Sequence, residues 1–232
     1  MRQGNAYRLA SSLAIAGVVV VAVASRFHGG AEPQNLLSVL PKYAANPYWK
    51  AVHLGQFLGF LLMASALILI LNDLRQVSAS RLATLGIVTA IVAASSYAAN
   101  YAVDGVAIQF VARVFVEAPA HERAMALSVA EGVRHIEQGL SGLAAINLGI
   151  TLALCGGAII SSRALARWLG WAAVLVGAAL LVSGVSIYSL GFSQHVLGFW
   201  AGVSLLGWML TAAVVLWRRS SGDGDPRSAS PL

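Results

Sequence analysis

"HIEQGLSGLAAINLGITLALCGGAII", residues 135–160, opens on polar side chains and then runs from Leu143 to Ile160 without a charged residue. An α-helix rises about 1.5 Å per residue, and about 20 apolar residues cross the roughly 30 Å hydrocarbon layer of a bilayer. The stretch therefore predicts a membrane helix over residues 139–160 with a polar head at one end. That head is either a site of chemistry or only the point where a helix meets the membrane surface.

Five more segments pass the same test of length and apolarity: residues 9–25, 51–71, 82–101, 168–188 and 195–217. The whole chain of 232 residues is 58% hydrophobic and 10% charged, where a soluble domain carries about 25% charged residues. Backbone groups in lipid must find partners within their own segment, so such spans are helices. The expectation is an all-α integral membrane protein, one six-helix domain over residues 1–218, followed by a disordered cytoplasmic tail at 219–232, rich in Gly, Ser and Pro. The first span competes with a signal peptide, since "VAVAS" offers an Ala-x-Ala site at its end. Its apolar stretch is longer than an ordinary signal core, and it is expected to stay as a span.

Charge sets the threading. With the N-terminus inside, the inner segments hold nine arginines, among them Arg8, Arg75, Arg81, Arg163, Arg167, Arg218 and Arg219, against Asp73, Asp223 and Asp225. The outer segments hold Arg26, Lys42, Lys50, Arg113, Arg123 and Arg134, balanced by six acidic residues. Nine against six, in short inner loops, predicts an inner-membrane protein with both termini cytoplasmic. The net charge of +6 is thus spread by side of the membrane rather than gathered in a patch, which excludes a nucleic-acid partner and leaves the lipid bilayer. The single Cys155 lies inside an apolar run and excludes a disulfide or a Cys-based metal centre within one chain.

Two outer segments are more than loops. Residues 26–50 carry Pro33, Pro41 and Pro47 with Tyr43, Tyr48 and Trp49, which predicts a segment lying on the membrane surface. Gln109, Arg113 and Glu117 recur every fourth residue before Pro119 breaks the pattern, so the third and fourth spans are expected to project outward as a helical hairpin. On the returning arm Glu131, His135, Gln138 and Gly142 share one helical stripe, and Arg134, Glu137 and Ser141 share its neighbour.

All five histidines map to the outer half, and Asn100 and Asp104 lie at the outer end of the third span. Ionisable groups at membrane depth are costly enough to point to function. These placements predict an outward-facing polar pocket built from His53, Asp104, Glu131, Arg134, His135 and Glu137. Such a pocket suits a small ligand or a membrane-protein partner in a ligand-binding, sensing or accessory role. No cofactor is demanded by any motif, because no local His-x-x-x-His spacing occurs. A divalent metal or a haem held by His53, His135 and His195 is the alternative the histidines allow.

A catalytic alternative rests on Gly139-Leu140-Ser141-Gly142 at the outer start of the fourth span and on "HVLGFWAG", His195 to Gly202, at the outer start of the sixth. This resembles the rhomboid intramembrane proteases. The resemblance implies Ser141 as nucleophile and His195 as base, with Gly198 and Gly202 letting the sixth helix approach the fourth. Where that family carries an oxyanion-binding asparagine on its second helix, this chain has Phe57. A second resemblance covers more of the chain. Trp49-x-x-x-His53, Asp104-Gly105 and "RALARWLGW" before the fifth span look like a family of uncharacterised six-helix bacterial membrane proteins, which implies architecture and no mechanism.

Overall fold

The computed structural model describes residues 3–28, 35–77 and 79–222. Its helices are α1 (Gln3–Arg26), α2 (Leu36–Ala45), α3 (Trp49–Val77), α4 (Ser80–Ala102), α5 (Gln109–Glu117), α6 (Arg123–Ser162), α7 (Arg167–Leu190) and α8 (His195–Gly222). A π-helical turn, Val103–Ile108, joins α4 to α5 without a break in direction, and a 3-10 turn, Gly191–Gln194, joins α7 to α8. Among the described residues there is no strand. Six helices are long and apolar enough to cross a membrane, and they cover the six expected segments. Arg2, Glu32, Pro33, Asp223, Asp225 and Arg227, used in reading the chain, lie outside the described residues. Of the expected tail, residues 219–222 are instead the last turn of α8.

Short connections force sequential spans to lie side by side. α1 packs on α3, α3 on α4, α4 on α6, α6 on α7, α7 on α8, and α8 returns to α1, so the six long helices form a closed ring. Leu67, Leu71, Leu148, Leu152, Met209 and Leu216 fill its interior. α1 is a working member of this ring: Tyr7, Ala10, Ala14 and Val18 are buried, and the Tyr7 hydroxyl donates to Asp73 Oδ2 at 2.7 Å.

Lipid-facing helices gain little from apolar contact alone, so their seams rely on close backbone approach and on hydrogen bonds. The α6–α7 seam uses the first device. A Cβ on Gly142 would stand 2.9 Å from the Gly184 carbonyl and one on Gly149 2.7 Å from that of Gly177, and one on Gly156 would run into that of Gly170. The seven-residue spacing on both helices returns the glycines to one face every two turns, in antiparallel register. The α4–α6 seam uses the second device. Ser141 Oγ donates to Asn100 Oδ1 at 2.8 Å, Asn147 Nδ2 to Ser96 Oγ at 3.1 Å, and Thr151 Oγ1 to Thr89 Oγ1 at 3.0 Å. At the far end of the ring Arg163 takes a left-handed backbone (φ 54°) to end α6, and the Arg219 guanidinium donates to the Ala164 carbonyl in the following turn.

The helix from Ser80 to Glu117 has 38 residues and α6 has 40. At 1.5 Å per residue these are about 57 and 60 Å long, about twice the hydrocarbon thickness. Residues 118–122 connect them, and α5 rests on α6 and α2.

Candidate functional site

α2 packs on α5 at the end of the ring where α3, the π turn and α6 come together. Its first turn is capped by Asn35, whose side chain accepts from the Ser38 amide. Its last turn is tied down by Gln109, which is buried and donates from Nε2 to the carbonyls of Tyr43 (3.3 Å) and Asn46 (2.8 Å). Val39, Leu40 and Tyr43 pack with Trp49, Ile108, Val111 and Ala130 in a second, smaller core. The segment expected on the membrane surface thus contains a packed helix. Pro41 sits inside a helix, and Trp49, expected at the interface, is only 1% exposed.

Beneath α2 the π turn sets the geometry. An extra residue in one turn shifts the side chains that follow it, which is why such turns recur at functional sites. Here the shift presents Asp104 to α3. Trp49 Nε1 donates to the Asp104 carbonyl at 2.7 Å, and Gly105 permits the approach, since a Cβ there would stand 2.7 Å from His53 Cβ. His53 Nε2 lies 3.0 Å from Asp104 Oδ2. The two atoms are close but not aligned as a hydrogen bond, and Nε2 is buried without a hydrogen-bond partner. The other ring nitrogen, Nδ1, is 2.7 Å from the Trp49 carbonyl. A carbonyl only accepts, so Nδ1 carries a proton.

His28, in the bend after α1, completes a group of three. One ligand atom from each of His28, His53 and Asp104 lies within 4.8 Å of the others. The His28 ring centroid is 5.1 Å from that of His53 and 4.9 Å from that of Trp49. Burial holds the His28 imidazole below its ordinary range, against the pull of Asp104.

A buried ion pair stands beside this group. Arg134 Nη1 donates to both Glu137 oxygens, at 2.9 and 2.7 Å, and the guanidinium carbon is 4.3 Å from the Phe192 ring centroid. Their side chains are 8% and 4% exposed. Tyr43 feels the charges of Arg134, Glu137 and Asp104 together, and burial pushes its hydroxyl up to about 12, so it stays neutral. Asp104, Arg134 and Glu137, from two helices far apart in sequence, thus share one polar centre with Tyr43 and His28.

Of the residues expected in the pocket, His53 pairs with Asp104 and Arg134 with Glu137. Glu131 and His135 join neither pair. They lie on the exposed stripe of α6, where His135 Nδ1 bonds back to the Glu131 carbonyl at 2.8 Å. Of the metal-binding trio expected of His53, His135 and His195, His135 lies on the exposed stripe of α6; among the described residues His28, missed in the sequence, and Asp104 stand with His53. The His195 side chain lies outside the described residues.

Ser141 is hydrogen-bonded to Asn100 as the end rung of the α4–α6 ladder. Gly142 faces α7, Gly139 and Gly202 have open space where a Cβ would be, and α8 lies against α1 and α7. The close approach of the sixth span to the fourth that Gly198 and Gly202 were expected to allow is not the packing found. Gly198 instead faces Ser183 of α7.

Compared with protein-family profiles, with curated proteins and with solved structures, the chain matches none. Neither the likeness to rhomboid proteases nor that to six-helix bacterial membrane proteins gains support from these comparisons.

Proposed function

We propose that the chain is a multi-pass inner-membrane protein that receives a small polar ligand at the end that carries α2, in a sensing or accessory role. One observation carries this reading: His53 with Asp104 and Arg134 with Glu137, two pairs of ionisable side chains from three long helices, are turned away from solvent near Tyr43 of α2. Apolar residues of similar volume would hold a bundle together at least as well as a buried charge pair does. Retaining charges there is a cost that binding explains. In this reading both termini are cytoplasmic, α2 and residues 118–122 lie outside, and the surplus length of the 38- and 40-residue helices stands clear of the bilayer as a hairpin.

Cysteine labelling in intact cells tests it. Cys155 is buried and is replaced by alanine as background. Ala120→Cys is expected to react with a membrane-impermeant maleimide added outside, and Ser80→Cys only after the membrane is opened. The reverse pattern would place the polar end in the cytoplasm and overturn the reading.

A further inference from the structure

We propose that His28, His53 and Asp104 form a binding site for one divalent transition-metal ion of the zinc class, with an open fourth position. The inference deepens the reading above, because it names the ligand of that polar end.

The first argument is the state of His53. Its ring is 1% exposed, its Nδ1 lies 2.7 Å from the Trp49 carbonyl, and its Nε2 is buried without an aligned hydrogen-bond partner. Metal-ligating histidines are held this way, with the second nitrogen donating to a carbonyl or carboxylate that fixes the tautomer. Nε2 then faces a carboxylate oxygen at 3.0 Å out of hydrogen-bond alignment. A metal ion lying off the Nε2–Oδ2 line would be ligated by both atoms. Ligand atoms bound at about 2.0–2.2 Å stand about 2.8–3.1 Å apart at a right angle and about 3.3–3.6 Å at the tetrahedral angle, so the two atoms are within ligating distance of one ion and open by a few tenths of an ångström to reach tetrahedral spacing.

The second argument is the spacing of the rings. With a metal–nitrogen bond of about 2.0–2.1 Å, an imidazole centroid stands about 3.2 Å from the ion, and two rings at the tetrahedral angle stand about 5.2 Å apart. The His28 and His53 centroids are 5.1 Å apart. Rings on opposite faces of a haem iron would stand more than about 6 Å apart, so the pair suits one ion flanked on the same side. The three ligand atoms still spread to as much as 4.8 Å, and His28, in the bend beyond α1, is the arm that must close by about 1.5 Å to bind.

The third argument is the surroundings. Trp49 holds both ligand-bearing segments, through the Asp104 carbonyl on one and the Nδ1 proton of His53 on the other. A cavity of about 210 Å³ lined by Lys50, His53, Tyr101 and Gly105 borders the site at His53. Two nitrogens and one oxygen favour zinc, copper, nickel or cobalt over magnesium or calcium, which take oxygen ligands.

The test is calorimetric titration with Zn²⁺ of the full chain, purified in detergent without a polyhistidine tag and stripped with EDTA. One Zn²⁺ per chain is expected, with no uptake of Mg²⁺. His53→Gln and Asp104→Asn should each weaken binding by about a hundredfold, and His28→Gln by at least about tenfold. His135→Gln, on the exposed stripe, should leave it unchanged. A folded parent, monodisperse on size exclusion, that takes up no Zn²⁺ would overturn the proposal. So would uptake that survives His53→Gln or Asp104→Asn, or that is lost with His135→Gln. Titration in detergent does not depend on orientation. Absence of zinc uptake beside outside labelling at position 120 would sink the metal site alone, and reversed labelling beside zinc uptake would sink only the orientation.

Discussion

The α6–α7 seam and the polar end beneath α2 are built from opposite materials. In the seam three glycines face three glycines, and only backbone and apolar side chains such as Leu181 and Val174 meet there. At the polar end ionisable side chains sit in a dry shell of Trp49, Tyr43 and Phe192, at a cost that the seam avoids. The seam is optimised for holding helices together, and the polar end is not. The difference separates the part of the molecule that specifies the fold from the part that fold positions.

The largest effect is expected where the seam is broken. Gly149→Leu would drive a side chain into the Gly177 carbonyl and the Leu181 amide, both closer than 3 Å to its Cβ. Backbone on both sides cannot give way, so the loss should reach about 3 kcal/mol or more, above ordinary overpacking. Thermal unfolding in detergent should show a sharp drop, and an unchanged midpoint would mean that α6 and α7 are not in close contact.

Arg134→Met addresses the polar end with a comparable but distinguishable loss. It leaves Glu137 buried without its guanidinium, at about 3–5 kcal/mol, whereas Arg134→Met with Glu137→Met should recover most of that stability. A double variant no better than the single one would show that the pair is not coupled. The smallest effect belongs to the hydrogen-bonded ladder. Ser141→Ala should cost only about 0.6 kcal/mol, the ordinary value for a hydrogen bond between membrane helices. Cleavage of a membrane substrate by the parent, abolished in this variant, would instead make Ser141 a nucleophile.

The contrast also shows what a sequence makes legible. Six spans were readable because hydropathy over about 20 residues is a local property, and the runs from Ser80 to Glu117 and Arg123 to Ser162 were readable as extended because helical spacing continues past the apolar stretch. The choice between two neighbouring stripes on α6 was not readable. Glu131 and His135 are as polar as Arg134 and Glu137, and only the packing of α4, α5 and α7 around α6 decides which pair turns inward. Trp49, His53, Asp104 and Gly105 stood out as a pattern, yet their meaning depends on a contact 55 residues apart and on a π turn that leaves no mark in composition. His28 was hidden for the same reason, since its neighbours come from α3 and the turn after α4.

The claim that the polar end is a binding site, and not merely a tolerated defect, is tested most directly by the visible spectrum of the stripped protein after addition of one equivalent of Co²⁺. Cobalt held by His28, His53, Asp104 and one further ligand should show the intense absorption of a four-coordinate ion, lost in His53→Gln. The faint spectrum of hexaaqua cobalt, unchanged by folded parent protein, would contradict the account.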